Sequence, residues 1–148
     1  MNSASYTNNE QRAVDPITLE VIRHGLVSIT DQIDANDALV AFSPYINGYK
    51  KFAVGLVSAG GELIAQCPGG MPVFVADSVG MAVRDGLATY GAARLHHGGV
   101  VGGNHAAIQG QHLNNTGMYT PIYAGPERDG LIGFLAINVH SIDIRGTT

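Results

Sequence analysis

Asp15-Pro16, followed by Leu19, Ile22, Leu26, Ile29 and Ile33, is the feature that most restricts how this chain can fold. Aspartate is a preferred N-cap, and proline suits the first helical position, where its missing N–H costs no hydrogen bond. The apolar residues fall three and four apart on one face, while Glu20, Arg23, Asp31 and Gln32 take the other. The spacing predicts an amphipathic helix of about five turns. It can continue through Ala38, Leu39 and Val40 until Ser43-Pro44, because a residue before proline resists the helical region. Residues 1–14 are polar and without period, and are expected to form a mobile lead-in to a domain over 15–148.

Beyond this helix the texture changes. Phe52 to Val57 and Glu62 to Gln66 are β-type runs separated by Ser58-Ala59-Gly60-Gly61, the pattern of a hairpin. Met71 to Phe74 reads as short and extended. Val79, Val83 and Leu87 predict a second helix over Asp77 to Tyr90, weakened by Gly80 and Gly86. From Gly98 the chain is glycine-rich and β-like over Gly99 to Gly103, Met118 to Tyr123 and Leu131 to Ile144, with a charged turn from Ala124 to Gly130. The expected class is α+β: a long N-terminal amphipathic helix, then a glycine-rich, mostly antiparallel β region with one further helix. Leu131 to Val139 is the most apolar strand, yet no closing element follows it. Either other chains cover the sheet, or this is the front piece of a larger domain, and an incomplete part of a larger domain is expected.

Composition sets further bounds. The 148 residues suit one domain, and 45% are hydrophobic, which excludes a disordered chain. Only 14% are charged, so the surface is poorer in charge than that of a typical soluble domain. A formal net charge of −4 offers no attraction to nucleic acid or anionic lipid, and neither is expected as a partner. The single cysteine, Cys67, permits no internal disulfide and suits a reducing compartment. MNSASYTNNEQR lacks the apolar core of a signal peptide, and no apolar run reaches the roughly 18 residues of a membrane helix. A cytoplasmic location is expected.

Several chemistries are missing. There is no phosphate-binding Gly-Lys-Ser/Thr loop, no G-x-S-x-G elbow and no cysteine pair for zinc. The glycines of Gly98 to Gly103 read as a turn and closely packed strands. Six histidines remain. His24 falls near the polar side of the first helix, and His96-His97 in a loop; surface roles are expected for all three. His105, His112 and His140 lie in the glycine-rich half near Asn104, Asn114, Asn115 and Asp143. His140-x-x-Asp143 can converge on one cation if the chain turns between them, or form a structural hydrogen bond. Two donors fall short of the three or four a metal requires, so spacing alone favours the hydrogen bond. His112 is a third candidate, as a ligand or as a catalytic acid/base group.

These segments carry a family resemblance. Asp15-Pro16-Ile17-Thr18-Leu19-Glu20-Val21-Ile22-Arg23 resembles the opening of the hydantoinase B/oxoprolinase subunits. Ala41-Phe42-Ser43-Pro44 and Gly61-Glu62-Leu63-Ile64-Ala65-Gln66 fall where that family has similar segments. Gly103-Asn104-His105, Gly110-Gln111-His112-Leu113-Asn114-Asn115 and Met118-Tyr119-Thr120-Pro121 look most like the branch containing the acetophenone carboxylase β subunit. His140-x-x-Asp143 is similar to a His-x-x-Asp metal motif of acetone carboxylase α subunits.

The resemblance covers the N-terminal part of a much larger subunit. It implies part of an ATP-dependent complex, a carboxylase of ketones such as acetophenone or a hydrolase of hydantoins and other cyclic amides. A hydantoinase A-like partner would use the ATP, and the rest of the hydantoinase B subunit would be a further partner. By the same resemblance His140 and Asp143 would bind a divalent metal (Mn, Zn or Fe), with His112 near the site and a further histidine supplied downstream. Departures accompany the likeness. Asn104-His105-Ala106 replaces a common Asn-Asp-Pro, Arg145-Gly146 replaces a glycine pair, and Ser141 stands where an aromatic is common. The chain alone is expected to be inactive, and a non-catalytic assembly module derived from the family is the alternative.

Overall fold

The computed structural model describes residues 14–41, 43–69, 78–109, 112–125 and 130–141. Helix α1 spans Pro16–Val40, the longer of the two extents that the sequence allowed. The Asp15 carboxylate accepts from the Thr18 N–H at 3.0 Å and from its hydroxyl at 3.1 Å, so the expected cap is present. The helix ends where Ala41 turns extended and its N–H closes on the Asp37 carbonyl. A single helical turn follows, α2 over Pro44–Asn47. Strands β1, Phe52–Ser58, and β2, Leu63–Gln66, form the expected hairpin, with Gly61 at φ +88° in its turn. Then come helix α3 over Ser78–Tyr90, a 3-10 turn at Ala92–Arg94, β3 over Val101–Gly103 and a short α4 over Ala106–Gln109. Long strands β4, Asn115–Ala124, and β5, Gly130–His140, complete the fold.

All pairings are antiparallel, in the order β2-β1-β5-β4-β3. β5 therefore lies in the middle of the sheet, a place that its late position in the chain did not reveal. Phe134 pairs with Val57 on one side and Pro121 on the other. An apolar strand late in a sequence can be inserted between earlier ones, and its continuous hydrophobicity is the mark of that central place.

The two faces of the sheet are covered differently. Under α3, Val57, Tyr119, Phe134 and Ala136 pack against Val79 and Val83. The rings of Tyr119 and Phe134 meet edge to face at 5.6 Å. On the other face α1 crosses β1 and β2. Its buried residues are Thr30 and Asp34 rather than the apolar stripe. Asp34 accepts from the Cys67 thiol and from Lys50 Nζ, both at 3.2 Å, and so ties α1 to the end of the hairpin. Leu19, Ile22 and Ile29 stay 53%, 49% and 47% exposed, where the periodicity predicted burial. The side of α1 that meets β1 and β2 carries the buried Thr30 and Asp34, so much of the apolar stripe is left outside that contact.

The single-turn helices α2 and α4 and the 3-10 turn had no sequence prediction, being too short to show a period. Residues 1–13, the Met71 to Phe74 segment, positions 126–129 of the charged turn and Ile142 to Ile144 lie outside the described residues. No helix among the described residues is long and apolar enough to cross a membrane.

Candidate functional site

The C-terminal end of β5 and the start of β4 meet at one corner of the sheet. Asn115 and His140 are direct cross-strand partners, so their side chains leave the same face. His140 N–H is fixed to the Lys51 carbonyl at 3.0 Å, and Ser141 N–H to the Asn114 carbonyl at 2.8 Å. Just before β4 the Asn115 N–H bonds the His112 carbonyl at 3.0 Å, a tight turn that carries His112 back over the strand pair. Asn138, two residues before His140 and on the same face, is fully buried and donates to the Ser78 hydroxyl at 3.3 Å. The start of α3 thereby closes the inner side of this polar corner.

Three side chains converge here. His140 Nδ1 lies 2.7 Å from Asn115 Oδ1 and 3.3 Å from His112 Nε2. The two imidazoles meet edge to face, with centroids 5.1 Å apart. Asn115 is buried, His140 half-buried and His112 exposed, so the cluster opens outward on the His112 side. Burial, then the Lys51 ammonium and then His112 push the His140 pKa below the usual imidazole value. A neutral ring is the form that ligates metals. Bonds of about 2.1 Å to one cation put neighbouring ligand atoms about 3.0–3.4 Å apart, which the 3.3 Å between His112 and His140 fits, whereas the 2.7 Å between His140 Nδ1 and Asn115 Oδ1 is a hydrogen bond donated by the imidazole that a shared ion would have to replace. Two imidazole nitrogens and a carboxamide oxygen form a mixed set of the kind manganese, iron and zinc accept.

The structure thus brings together His112 and His140, two of the three predicted site residues; Asp143 lies outside the described residues. Sequence reasoning did not assign Asn115 a role. Its signal was present, because His112-x-x-Asn115 repeats the spacing of His140-x-x-Asp143 with an amide in place of the carboxylate. Among the described residues no three His, Cys, Asp or Glu side chains gather on one point; the third donor here is this amide. The other histidines stand apart. His24 lies on exposed α1 beside Glu20 and Arg23, and His96 and His97 are exposed, all as expected. His105, just before α4, faces Asp85 of α3, with Nδ1 3.9 Å from Oδ2.

An antiparallel sheet with helices on its two faces and a histidine-amide cluster at one corner defines an α+β module with a site at the end of a strand pair. Its relatives are specific. The family described as Hydantoinase B/oxoprolinase matches residues 15–148, and the chain belongs to it. The 5-oxoprolinase of Dictyostelium discoideum is 33% identical over 135 residues, covering 91% of this chain and 10% of that protein. An uncharacterized protein of Methanocaldococcus jannaschii is 28% identical over 139 residues, covering 90% of this chain and 23% of its own length.

Among solved structures, nucleotide-free acetone carboxylase superposes with a TM-score of 0.77 at 20% identity, over 88% of this chain and 17% of that one. The ATP-dependent caprolactamase of Pseudomonas jessenii gives 0.67 at 23% identity, over 92% and 22%. These likenesses show the fold. The chain spans less than a quarter of the length of each of these four proteins.

Proposed function

We propose that the chain supplies part of a divalent-metal site to an ATP-dependent enzyme acting on a carbonyl compound, by ketone carboxylation or by opening of a cyclic amide. The observation that carries this reading is the convergence of His112 Nε2, Asn115 Oδ1 and His140 Nδ1. Family membership supports the reaction class, since 5-oxoprolinase is a relative and the family's fold recurs in an acetone carboxylase and a caprolactamase. His112 and His140 would hold the ion through nitrogen and Asn115 through oxygen, with Asp143 added by the sequence resemblance. A metal bound there would supply Lewis-acid polarisation of a carbonyl. The protein's own part is positional: the Asn115–His140 cross-strand pair fixes two donors, and the turn before β4 brings the third. ATP would be used by a hydantoinase A-like partner, with the remaining length of a hydantoinase B-type subunit completing the site, in the cytoplasm.

The test is the metal content and turnover of the protein isolated from its own cells with its partners bound. The wild type is expected to retain manganese, iron or zinc, and His140→Ala to lose both metal and activity. A partner-bound wild type without metal, together with unchanged turnover in His140→Ala, would overturn the reading. One observation favours a second reading, that of an assembly module. Ile17, Val21, Leu39 and Val40 of α1 are between 67% and 81% exposed, an apolar surface of the kind that other polypeptide covers.

A further inference from the structure

On the sheet face opposite α3, beside α1, lies a cavity of about 290 Å³ over β5 and β4. Val54, Ile137 and Met118 are successive cross-strand partners in its floor, and Leu135 stands two residues along β5 on the same face. Leu135 and Ile137 are half-buried and Met118 is exposed, so this apolar floor is open. Ile33 and Asp37, one turn apart on α1, form its wall. Asp37 is the one charged residue among those described around the cavity. Its Oδ2 is buried without a hydrogen-bond partner among the described residues, and burial, then the Asp34 carboxylate, raise its pKa. Lys50 brings it no relief, because Nζ is held on Asp34 at 3.2 Å. A carboxyl left so is costly until a donor reaches it.

An apolar floor ending at one acid suits a side chain with an apolar stem and a cationic head. Lysine fits better than arginine, since an ammonium brings three donors to a wall poor in acceptors and a guanidinium five. Thr120, whose hydroxyl donates to the Gly99 carbonyl at 2.9 Å, can accept one of them. The terminal torsion of an aspartate is soft, so the carboxyl can turn to meet the newcomer.

We propose that this cavity is a docking groove for a partner polypeptide, which lays an apolar segment on Met118, Leu135 and Ile137 and sets a lysine ammonium on Asp37. The lysine stem lies along the floor while its head pairs with the carboxylate. The chain's own lysines are Lys50 and Lys51 alone, so any other lysine found there belongs to a different polypeptide. Further polypeptide is to hand in such proteins, since this chain matches only 10% to 23% of the length of its relatives. The contact uses none of the metal-site residues and none of the exposed α1 residues named for the assembly reading, so it is independent of both.

The direct test is zero-length carbodiimide coupling of the complex isolated from its own cells, followed by tryptic digestion and mass spectrometry. Coupling joins a carboxylate to a touching ammonium as an amide, with loss of water. The peptide over 24–50 is expected to be joined through Asp37, which fragmentation separates from Asp31 and Asp34, to a lysine in an apolar segment of another polypeptide. Asp37→Asn should abolish the link and speed dissociation of the complex about tenfold or more, because the partner's ammonium is then buried without its counter-charge. Met118→Lys, at an exposed floor position that tolerates change, should speed dissociation as well by placing an ammonium in the groove in cis. No link at Asp37 in the wild type, a link to Lys50 or Lys51 of a second copy, or an unchanged dissociation rate in Asp37→Asn each overturns the proposal.

Discussion

Tyr119 presses its phenol ring against the Cα of Gly86, and a Cβ at that position would collide with the hydroxyl and the ring carbon that bears it. The close approach of α3 to β4 thus depends on a residue with no side chain. The ring cannot swing away easily, because it is buried and locked edge to face on Phe134. Gly86→Ala is expected to destabilise the protein by about 1–3 kcal/mol through overpacking, offset in part by the roughly 1 kcal/mol of helix propensity that alanine regains. Tyr119→Phe in the same chain should recover part of the loss. Denaturant unfolding of the single and double variants measures both.

Asn115 offers an amide oxygen where a carboxylate would carry charge. Asn115→Asp is expected to tighten divalent-metal binding on the order of tenfold, since ligand charge tunes such sites. Isothermal titration with manganese or zinc reads the change. Equal or weaker affinity in the variant would show that the amide is no ligand.

Asp37 buries an oxygen with no hydrogen-bond partner among the described residues. Burial, and then the neighbouring Asp34 carboxylate, raise its pKa above the ordinary aspartate value. A folded-state pKa above the unfolded one means that the folded form holds its proton longer. The cost of the charge is therefore fully present above the folded pKa, and is relieved as pH falls through that value. Asp37→Asn should raise Tm at neutral pH, with a gain that shrinks towards about pH 4, near the unfolded pKa. Thermal melts at both pH values check the direction.

Cys67 is 2% exposed and donates its thiol to Asp34 at 3.2 Å. A thiol shut away from solvent is out of reach of a reagent until the fold opens. Reaction with a disulfide reagent is expected to be slow in the folded protein and to become fast on adding denaturant. Rapid labelling of the native state would contradict the buried placement.

Much of this was legible in the residues themselves. Asp15-Pro16 marked the start of α1, and Ser58 to Gly61 the hairpin turn, because caps and glycine turns are local signals. The order of the strands was not, since nothing local tells Gly130–His140 that it must lie between β1 and β4. The apolar stripe of α1 was legible but its exposure was not, because periodicity records which face is apolar and not which face meets the sheet. At the site, His112 and His140 were singled out separately. Their meeting, and the part of Asn115, depended on the antiparallel register that places Asn115 opposite His140.

The central place of β5 also bears on synthesis. As the nascent chain leaves the ribosome, the β1–β2 hairpin and β3–β4 can each form early, but each must wait with a bare strand edge until Gly130–His140 has emerged. That final insertion joins the halves across long sequence separations, from Phe52–Val139 to Ser58–Gly133, a topology that slows folding. During that wait β1 is open to pairing with the wrong strand, and a chaperone that shields extended apolar segments has its natural point of action there.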